Sequence, residues 1–455
     1  MSIDLSGLDA KVLGGPILIS VNSEDPLLKM ANLINWEKLY EVIFSDLQQT
    51  TGGRFQVGRK LTLRTHLGAY ILQVMFNETD RETEARMSFD VRWGIFSGRS
   101  AVKNWKAPDH TSIEKFRSRF TPATHHQIGV EVIRAAAAAG FTKPDWMDVD
   151  STVQEANISY PSDATLMSKV AQKAQIVAEG VSAIFQKIQV DVKGIKGKLK
   201  EYLFIAKNKA LEIKRTAFLK LHTKVVEEVV PVVEAALMLS EAKVQELCKK
   251  TRSAMDVLLY KAVGLLEDIR IFTNTQKVVP TKILSLHANL VTCIAKGKLG
   301  KPHEFGRVYQ LGRIMGNFLL VGKSKSLRES DKTAIGAMIY EHAKVFGAKK
   351  LDSLGTDKGY ASQKNIRAAR AAGVKEIAIQ QTNNTKNGRL EHSPERRMEL
   401  ENRRAGIEPL IGHCKYGGLG RSRMKSDAAT ESSAYRSVLG FNLRQMRNHI
   451  QDSAA

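Results

Sequence analysis

Apolar positions recur at helical spacing through the first third of the chain. The run opened by Leu61, Leu63 and Leu67 continues through Ile71, Leu72, Val74 and Met75, which predicts a helix. Asn77-Glu78-Thr79-Asp80 interrupts it, a second helix follows from about Asp80, and Thr111-Ser112-Ile113-Glu114 has the capping-box pattern that opens a third, with Thr111 as cap. At Trp146 the period shortens. Trp146 to Gln154 alternates and is rich in β-branched residues, so it reads as a strand, with Asp148 and Asp150 on one face.

After Tyr160-Pro161 the pattern is helical for more than a hundred residues, and Pro231 is the only proline between Pro161 and Pro280. Within this stretch Leu199, Leu203, Ala206, Ala210, Ile213 and Ala217 follow alternating four- and three-residue steps, which predicts one continuous helix with a packing seam. Extended structure returns at Glu304–Leu311 and Phe318–Val321, joined through Met315-Gly316-Asn317 as a hairpin. A helix over about 330–345, a strand over 350–356, a helix capped near Ser362 and ending at Gly373, and a strand over 374–380 complete the series. The order strand, helical insertion, hairpin, helix, strand, helix, strand, helix predicts an α/β fold. Three parts are expected: a helical N-terminal domain over 1–140, a mixed-sheet domain from 141–164 and 286–455, and an all-α insertion over 165–285.

Charge narrows the function. Lys and Arg number 69 against 47 Asp and Glu, a formal net charge of +22, and a field of that sign attracts polyanions. DNA is the leading partner. Lys193, Lys200, Lys207 and Lys214 recur every seven residues, and residues 191–220 carry nine Lys/Arg against three acids. That excess favours backbone contact with DNA over a merely solvated face, with Lys200, Lys207 and Lys214 as contacts. Lys115, Arg117 and Arg119 form a basic cluster that suits either DNA or solvent. Lys296-Gly297-Lys298-Leu299-Gly300-Lys301 lacks the Gly-Lys-Ser/Thr ending of a phosphate-binding loop, so it predicts no nucleotide site, but Lys296 and Lys298 suit a phosphate backbone.

No apolar span of ~20 residues exists, and no basic stretch precedes the first apolar residues, so neither a membrane nor a secreted protein is expected. The three cysteines, Cys248, Cys293 and Cys414, form no CxxC pair, which fits a reducing cytosol.

The acids carry the candidate chemistry. Hard divalent cations prefer carboxylate oxygens, and two ions ~4 Å apart can activate an attacking hydroxyl while stabilising a leaving oxygen. Asp148 or Asp150 on the first strand, Asp357 at the end of a later one and Glu408 near the C-terminus are the available set. Spacing alone is weak, because 47 acids yield many triples.

The local sequences are stronger. Arg404, Glu408 and Lys415 fit the Tyr-x2-Arg-x3-Glu-x6-Lys signature around the last catalytic acid of a large group of bacterial insertion-sequence DDE transposases, with Glu401 standing where that pattern has Tyr. Asp357-Lys358-Gly359-Tyr360 resembles the second-acid motif of that family, and Asp150-Ser151-Thr152 resembles the first. Tyr160-Pro161-Ser162-Asp163, Glu304-Phe305-Gly306, Gly440-Phe441-Asn442-Leu443-Arg444 and the N-terminal Asp109-His110-Thr111-Ser112 extend the similarity over most of the chain.

The resemblance implies an RNase H-like catalytic domain in which Asp150, Asp357 and Glu408 hold two Mg²⁺ ions, with Mn²⁺ as a substitute. It implies cleavage at transposon terminal inverted repeats, followed by attack of the freed 3′-hydroxyl on target DNA. Arg404 and Lys415 would contact phosphates. It further implies a homodimer on the two transposon ends and a cytoplasmic, nucleoid-associated bacterial protein. A metal nuclease without strand transfer and a catalytically silent DNA-binding protein are the alternatives. Finally, Pro409 disfavours α geometry at Glu408, so a kink or a fresh helix start is expected there.

Overall fold

The computed structural model describes residues 2–4, 18–50, 60–99, 105–182, 188–279, 282–298, 301–322, 330–379 and 393–453. The chain divides into two compact units, residues 1–156 with 306–455, and residues 157–305.

In the first unit β1 (Ser2–Asp4) and β2 (Leu18–Ser20) pair antiparallel. Among the described residues seven helices follow: α1 (Pro26–Leu33), α2 (Trp36–Thr50), α3 (Lys60–Phe76), α4 (Asp80–Phe89), α5 (Val91–Phe96), α6 (His110–Ser118) and α7 (Pro122–Ala138). The expected break at Asn77 is present, with that residue at φ 55°. Thr79 and Glu82 then form a reciprocal capping box that opens α4.

The cap of α6 differs from expectation. Asp109, not Thr111, accepts the Ser112 N–H at 3.0 Å, and the Thr111 hydroxyl is turned back onto the same carboxylate. A carboxylate at the N-cap satisfies the free amides and complements the helix dipole, which a hydroxyl does less well. Arg117 also points inward, bonded to Asp80 and to Gln73, so it is not part of a solvent-facing basic cluster.

β3 (Trp146–Glu155) begins the main sheet. The second unit then supplies α8 (Asp163–Val181), α9 (Val192–Asn208), α10 (Leu211–Leu237), α11 (Glu241–Glu246), α12 (Lys249–Val257) and, after a π turn, α13 (Val263–Thr275). It ends with β4 (Thr292–Lys298) and the first residues of β5 (Lys301–Ile314). Its core is a separate apolar cluster built from α8, α10 and α13, with Val170, Val177, Leu221, Val225 and Ile269 fully buried.

The continuous seam over 199–217 is not observed. The chain turns at Lys209-Ala210 and α10 packs back on α9. Leu203 and Ile213 are 43% and 49% exposed, whereas the buried stripe of α10 runs through Ala217, Leu221, Val225, Val229, Val232 and Ala236. Two successive helices that bury different faces produce the same spacing as one continuous one. Lys200 and Lys207 are exposed on α9, while Lys214 is half-buried on α10, so the seven-residue lysine repeat is not one stripe.

Back in the first unit, β5 turns through Met315–Asn317 into β6 (Leu319–Val321), the predicted hairpin, with Gly316 and Asn317 both at positive φ. Then come α14 (Ile335–Phe346), β7 (Ser353–Thr356), α15 (Gln363–Ala371), β8 (Glu376–Ile379), α16 (Pro394–Ala405), α17 (Ile407–Cys414) and α18 (Asp427–Asp452). The sheet order is β4-β5-β3-β7-β8, with β6 also on β5. β3 is antiparallel to β5 and parallel to β7, and β7 is parallel to β8. The fold is therefore mixed α/β with a mixed sheet.

The N-terminal helices and the sheet share one core in this unit, where Leu67, Tyr70 and Met75 of α3 join Met147 and Val149 of β3 and Leu443 of α18. Tyr70 and His125 meet at 2.7 Å in this core, and burial pushes the imidazole down to about 3, so it stays neutral there. Asn442 of α18 satisfies the backbone of the short strand β6, accepting from the Leu319 N–H at 2.9 Å and donating to its carbonyl at 2.8 Å. Asn442→Ala strands both groups in the core and is expected to lower the unfolding free energy by about 2–4 kcal/mol. Urea unfolding measures this, and a loss below ~0.5 kcal/mol would remove Asn442 from that role.

Candidate functional site

The register of two parallel strands places the first pair of acids. Val149 of β3 stands opposite Thr356 of β7, so the next residues, Asp150 and Asp357, are neighbours at the C-terminal edge of that pair. Adjacent strands lie about 4.8 Å apart. Asp150 accepts its own Ser151 N–H at 2.7 Å. Asp357 directly follows β7 and caps a 3-10 turn over Lys358–Tyr360, accepting the Gly359 N–H at 2.9 Å.

The third acid arrives on a helix. α16 stops at Ala405 and α17 starts at Ile407, so Glu408 sits in the first turn of a fresh helix with Pro409 beside it, as the proline requires. α17 packs against β3, anchored by the fully buried Ile407. Glu408 keeps 66% of its side chain exposed, 3.9 Å from the Arg404 guanidinium.

Burial raises the Asp150 carboxyl above its ordinary value, and the like charges of Asp357 and Glu408 push it further, against the pull of the Ser151 amide and Arg404. The three acids thus act on one another electrostatically. Among the described residues, no three His, Cys, Asp or Glu side chains stand as a ready-made metal cage. The donor set is oxygen only, which suits a hard cation, and a cation there would relieve the crowding on Asp150.

Asp148, two residues earlier, has a different partner. It is fully buried and takes a two-point contact from Arg403 of α16, at 3.0 Å from Nε and 2.8 Å from Nη2. Arg403 also donates to Ser353 of β7 at 2.9 Å, and Arg313 of β5 donates to the Arg403 carbonyl at 2.6 Å. Both guanidinium groups lie over the Trp146 ring, 4.9 and 5.2 Å from its centroid. A Cβ on Gly355 would meet the Asp148 carboxylate at 2.3 Å, so only glycine leaves room for it. Burial pushes the Asp148 carboxyl up while Arg403 and then Arg313 pull it down.

Tyr360 lies under the acids, 1% exposed, its hydroxyl donated to Gln310, which in turn bonds Asp331 at 2.9 Å. Burial, then the nearby charges of Asp331, Asp150 and Asp357, hold this phenol well above its usual range, so it is a fixed proton donor.

The remaining predicted contacts are dispersed. Arg404 is half-buried and its charge bears on both Asp148 and Asp150. Lys415 caps the far end of α17, seven residues or about 10 Å from Glu408 along the helix. Lys200, Lys207 and Lys214 belong to the second unit. Lys296 and Lys298 fall on β4, and their side chains lie outside the described residues. Cys414, next to His413, is fully buried, and burial pushes its thiol up to about 12.

Arg403, Arg313 and Ser353 were not legible beforehand. Arg403 is one of four arginines between 396 and 404, and no local pattern distinguishes it. The one available signal was Asp148, an acid on the same strand face as Asp150 that would need a cation if buried.

Comparison with known proteins agrees with part of this picture. A family model described as a transposase domain (DUF772) matches residues 17–119. A Rhizobium meliloti protein described as "Uncharacterized protein ORF8 in nfe locus" is 25% identical over 157 residues, 33% of this chain and 72% of that protein. No solved structure matches. The domain match supports a transposase. Among the described residues no helix is long and apolar enough to cross a membrane.

Two outcomes follow from the geometry. Arg403→Ala removes the two-point contact to the buried Asp148 and leaves it only the Arg313 guanidinium at 4.0 Å and the more remote charge of Arg404, with an expected loss of about 3 kcal/mol in urea unfolding. Adding Asp148→Asn should recover part of that loss, and no recovery would break the proposed pairing. Separately, a raised folded pKa means that the native protein holds the Asp150 proton more tightly, so stability falls as pH climbs from the ordinary carboxylate value of ~4 through the raised one. Asp150→Asn should therefore raise the melting temperature of the metal-free protein at neutral pH, and the gain should shrink toward pH ~4. A gain that does not depend on pH would contradict the crowding.

Proposed function

We propose that this protein is a DDE-type DNA transposase that cleaves DNA at transposon ends and joins the freed 3′ ends to target DNA. The observation that carries this reading is the placement of Asp150 and Asp357 at adjoining strand ends, with Glu408 on a helix docked against the first of those strands. The strand pattern supports it. A central first strand, an antiparallel hairpin on one side and two parallel strands on the other is the arrangement expected of an RNase H-like sheet.

In this reading Asp150, Asp357 and Glu408 hold divalent cations, Mg²⁺ or Mn²⁺, which when bound supply Lewis-acid activation of the attacking hydroxyl and charge neutralisation at the leaving oxygen. The chain's own residues do the rest. Arg404 offers a guanidinium beside Glu408 for a phosphate oxygen, and Tyr360 with Gln310 seals the floor under the acids. Helices within 1–140 bind transposon-end DNA, and the exposed Lys200 and Lys207 in the 165–285 insertion add backbone contacts. Two ends call for two copies of the chain, and the reaction belongs in the bacterial cytoplasm on nucleoid DNA.

The test is incubation of the protein with plasmids that carry candidate terminal inverted repeats, with Mg²⁺ present. Nicking at the ends and joined products are expected from the wild type. Asp150→Ala, Asp357→Ala and Glu408→Ala should each abolish both while retaining DNA binding in a gel-shift assay. Turnover at wild-type rate by any of the three removes it from the site. Nicking without joined products would favour a metal nuclease.

A further inference from the structure

Within the second unit, α10 carries more apolar surface than its own core uses. Its buried stripe through Leu221, Val225, Val229, Val232 and Ala236 belongs to that core. A second set, Leu219, Thr223, Val226, Val230, Val233 and Leu237, recurs in alternating four- and three-residue steps on another side of the helix. All six keep part of their surface in solvent, and Val230 and Leu237 are 43% and 68% exposed. A surface helix packed on one core needs only one apolar stripe. A second stripe, apolar but for Thr223 and in coiled-coil spacing, calls for a second helix.

Charge selects that helix. Residues 211–224 of α10 hold four cations, Lys214, Arg215, Lys220 and Lys224, against Glu212. Residues 225–237 hold three acids, Glu227, Glu228 and Glu234, and no cation. A helix with one basic and one acidic half complements a copy of itself running the opposite way, whereas parallel pairing sets like charges side by side.

The apolar stripe has the same symmetry. In two copies set antiparallel about Glu228, Leu219 meets Leu237, Thr223 meets Val233 and Val226 meets Val230, over about 27 Å of helix. Lys220 and Glu234, both exposed, flank the outer layers and meet across the pair at each end. Glu227 meets its own copy near the centre, the one unfavourable contact in this register.

We propose that the helical insertion pairs with that of a second copy of this chain through an antiparallel contact between their α10 helices. The contact needs no DNA and does not rest on the transposase reading. A dimer made this way exists before any DNA is bound.

The test is sedimentation velocity of the full chain, freed of nucleic acid, from about 1 to 100 µM, because a single helix pair lies at the small end of specific interfaces. Wild type should pass from monomer to dimer over this range. Lys220→Glu and Glu234→Lys should each weaken the dimer about tenfold, and both together in one chain should restore it, because the pair is only reversed. Glu227→Gln should tighten the dimer, and Val230→Glu should leave a monomer. All four positions are exposed, and circular dichroism checks that the variants fold. In a Cys248→Ser, Cys293→Ser background, Thr223→Cys mixed with Val233→Cys should cross-link on mild oxidation, while Thr223→Cys alone should not. A wild type that stays monomeric throughout, or a dimer that Lys220→Glu and Val230→Glu leave unchanged, overturns the contact. Cross-linking of Thr223→Cys to its own copy means parallel pairing and overturns it too.

Discussion

A buried ion pair, Asp148 with Arg403, ties the site together. A fully buried carboxylate is tolerated only when its charge is met and its lone pairs are filled, and Arg403 does both with a two-point contact. The same guanidinium bonds Ser353, so β3, β7 and α16 are joined at one point. Arg313 then fastens the carbonyl of Arg403 to β5. α17 follows one residue after α16 ends, so the clamp fixes where Glu408 emerges relative to Asp150 and Asp357. Two acids on the same strand thus have opposite tasks: Asp148 is spent on structure, and Asp150 is left crowded by like charges.

The strong positive charge of the chain is used in several ways. Some cations are internal, as in Arg403 against Asp148 and Arg307, 2% exposed, against Asp427 of α18. Arg436 is almost wholly buried beside Tyr70, Arg117 and Asp80. Others remain available, such as Lys200 and Lys207 on α9. Net charge therefore points to a polyanionic partner but overstates the cationic surface offered to it.

Much of the element order was legible because it rests on local rules. The strand at 146–155, the hairpin turning at Gly316-Asn317, the Ser362 cap and the helix start beside Pro409 all follow from side-chain period, turn chemistry or the missing proline donor. The seam over 199–217 failed for a physical reason. Spacing records which residues share a face only if the helix is continuous, and the turn at Lys209-Ala210, which carries neither glycine nor proline, gives no local signal of the break. The cap of α6 failed more narrowly, because Asp109 and Thr111 are both competent caps and the backbone path chose between them.

By itself the sequence determined the periodicities, the sign of the charge and three local acid motifs, since each depends on residues a few positions apart. Which of Asp148 and Asp150 carries an arginine, and the adjacency of Asp150 to Asp357 across 207 residues, were decided only by tertiary structure. Strand register and helix docking are set by burial of the whole core, and no local window of residues contains that information.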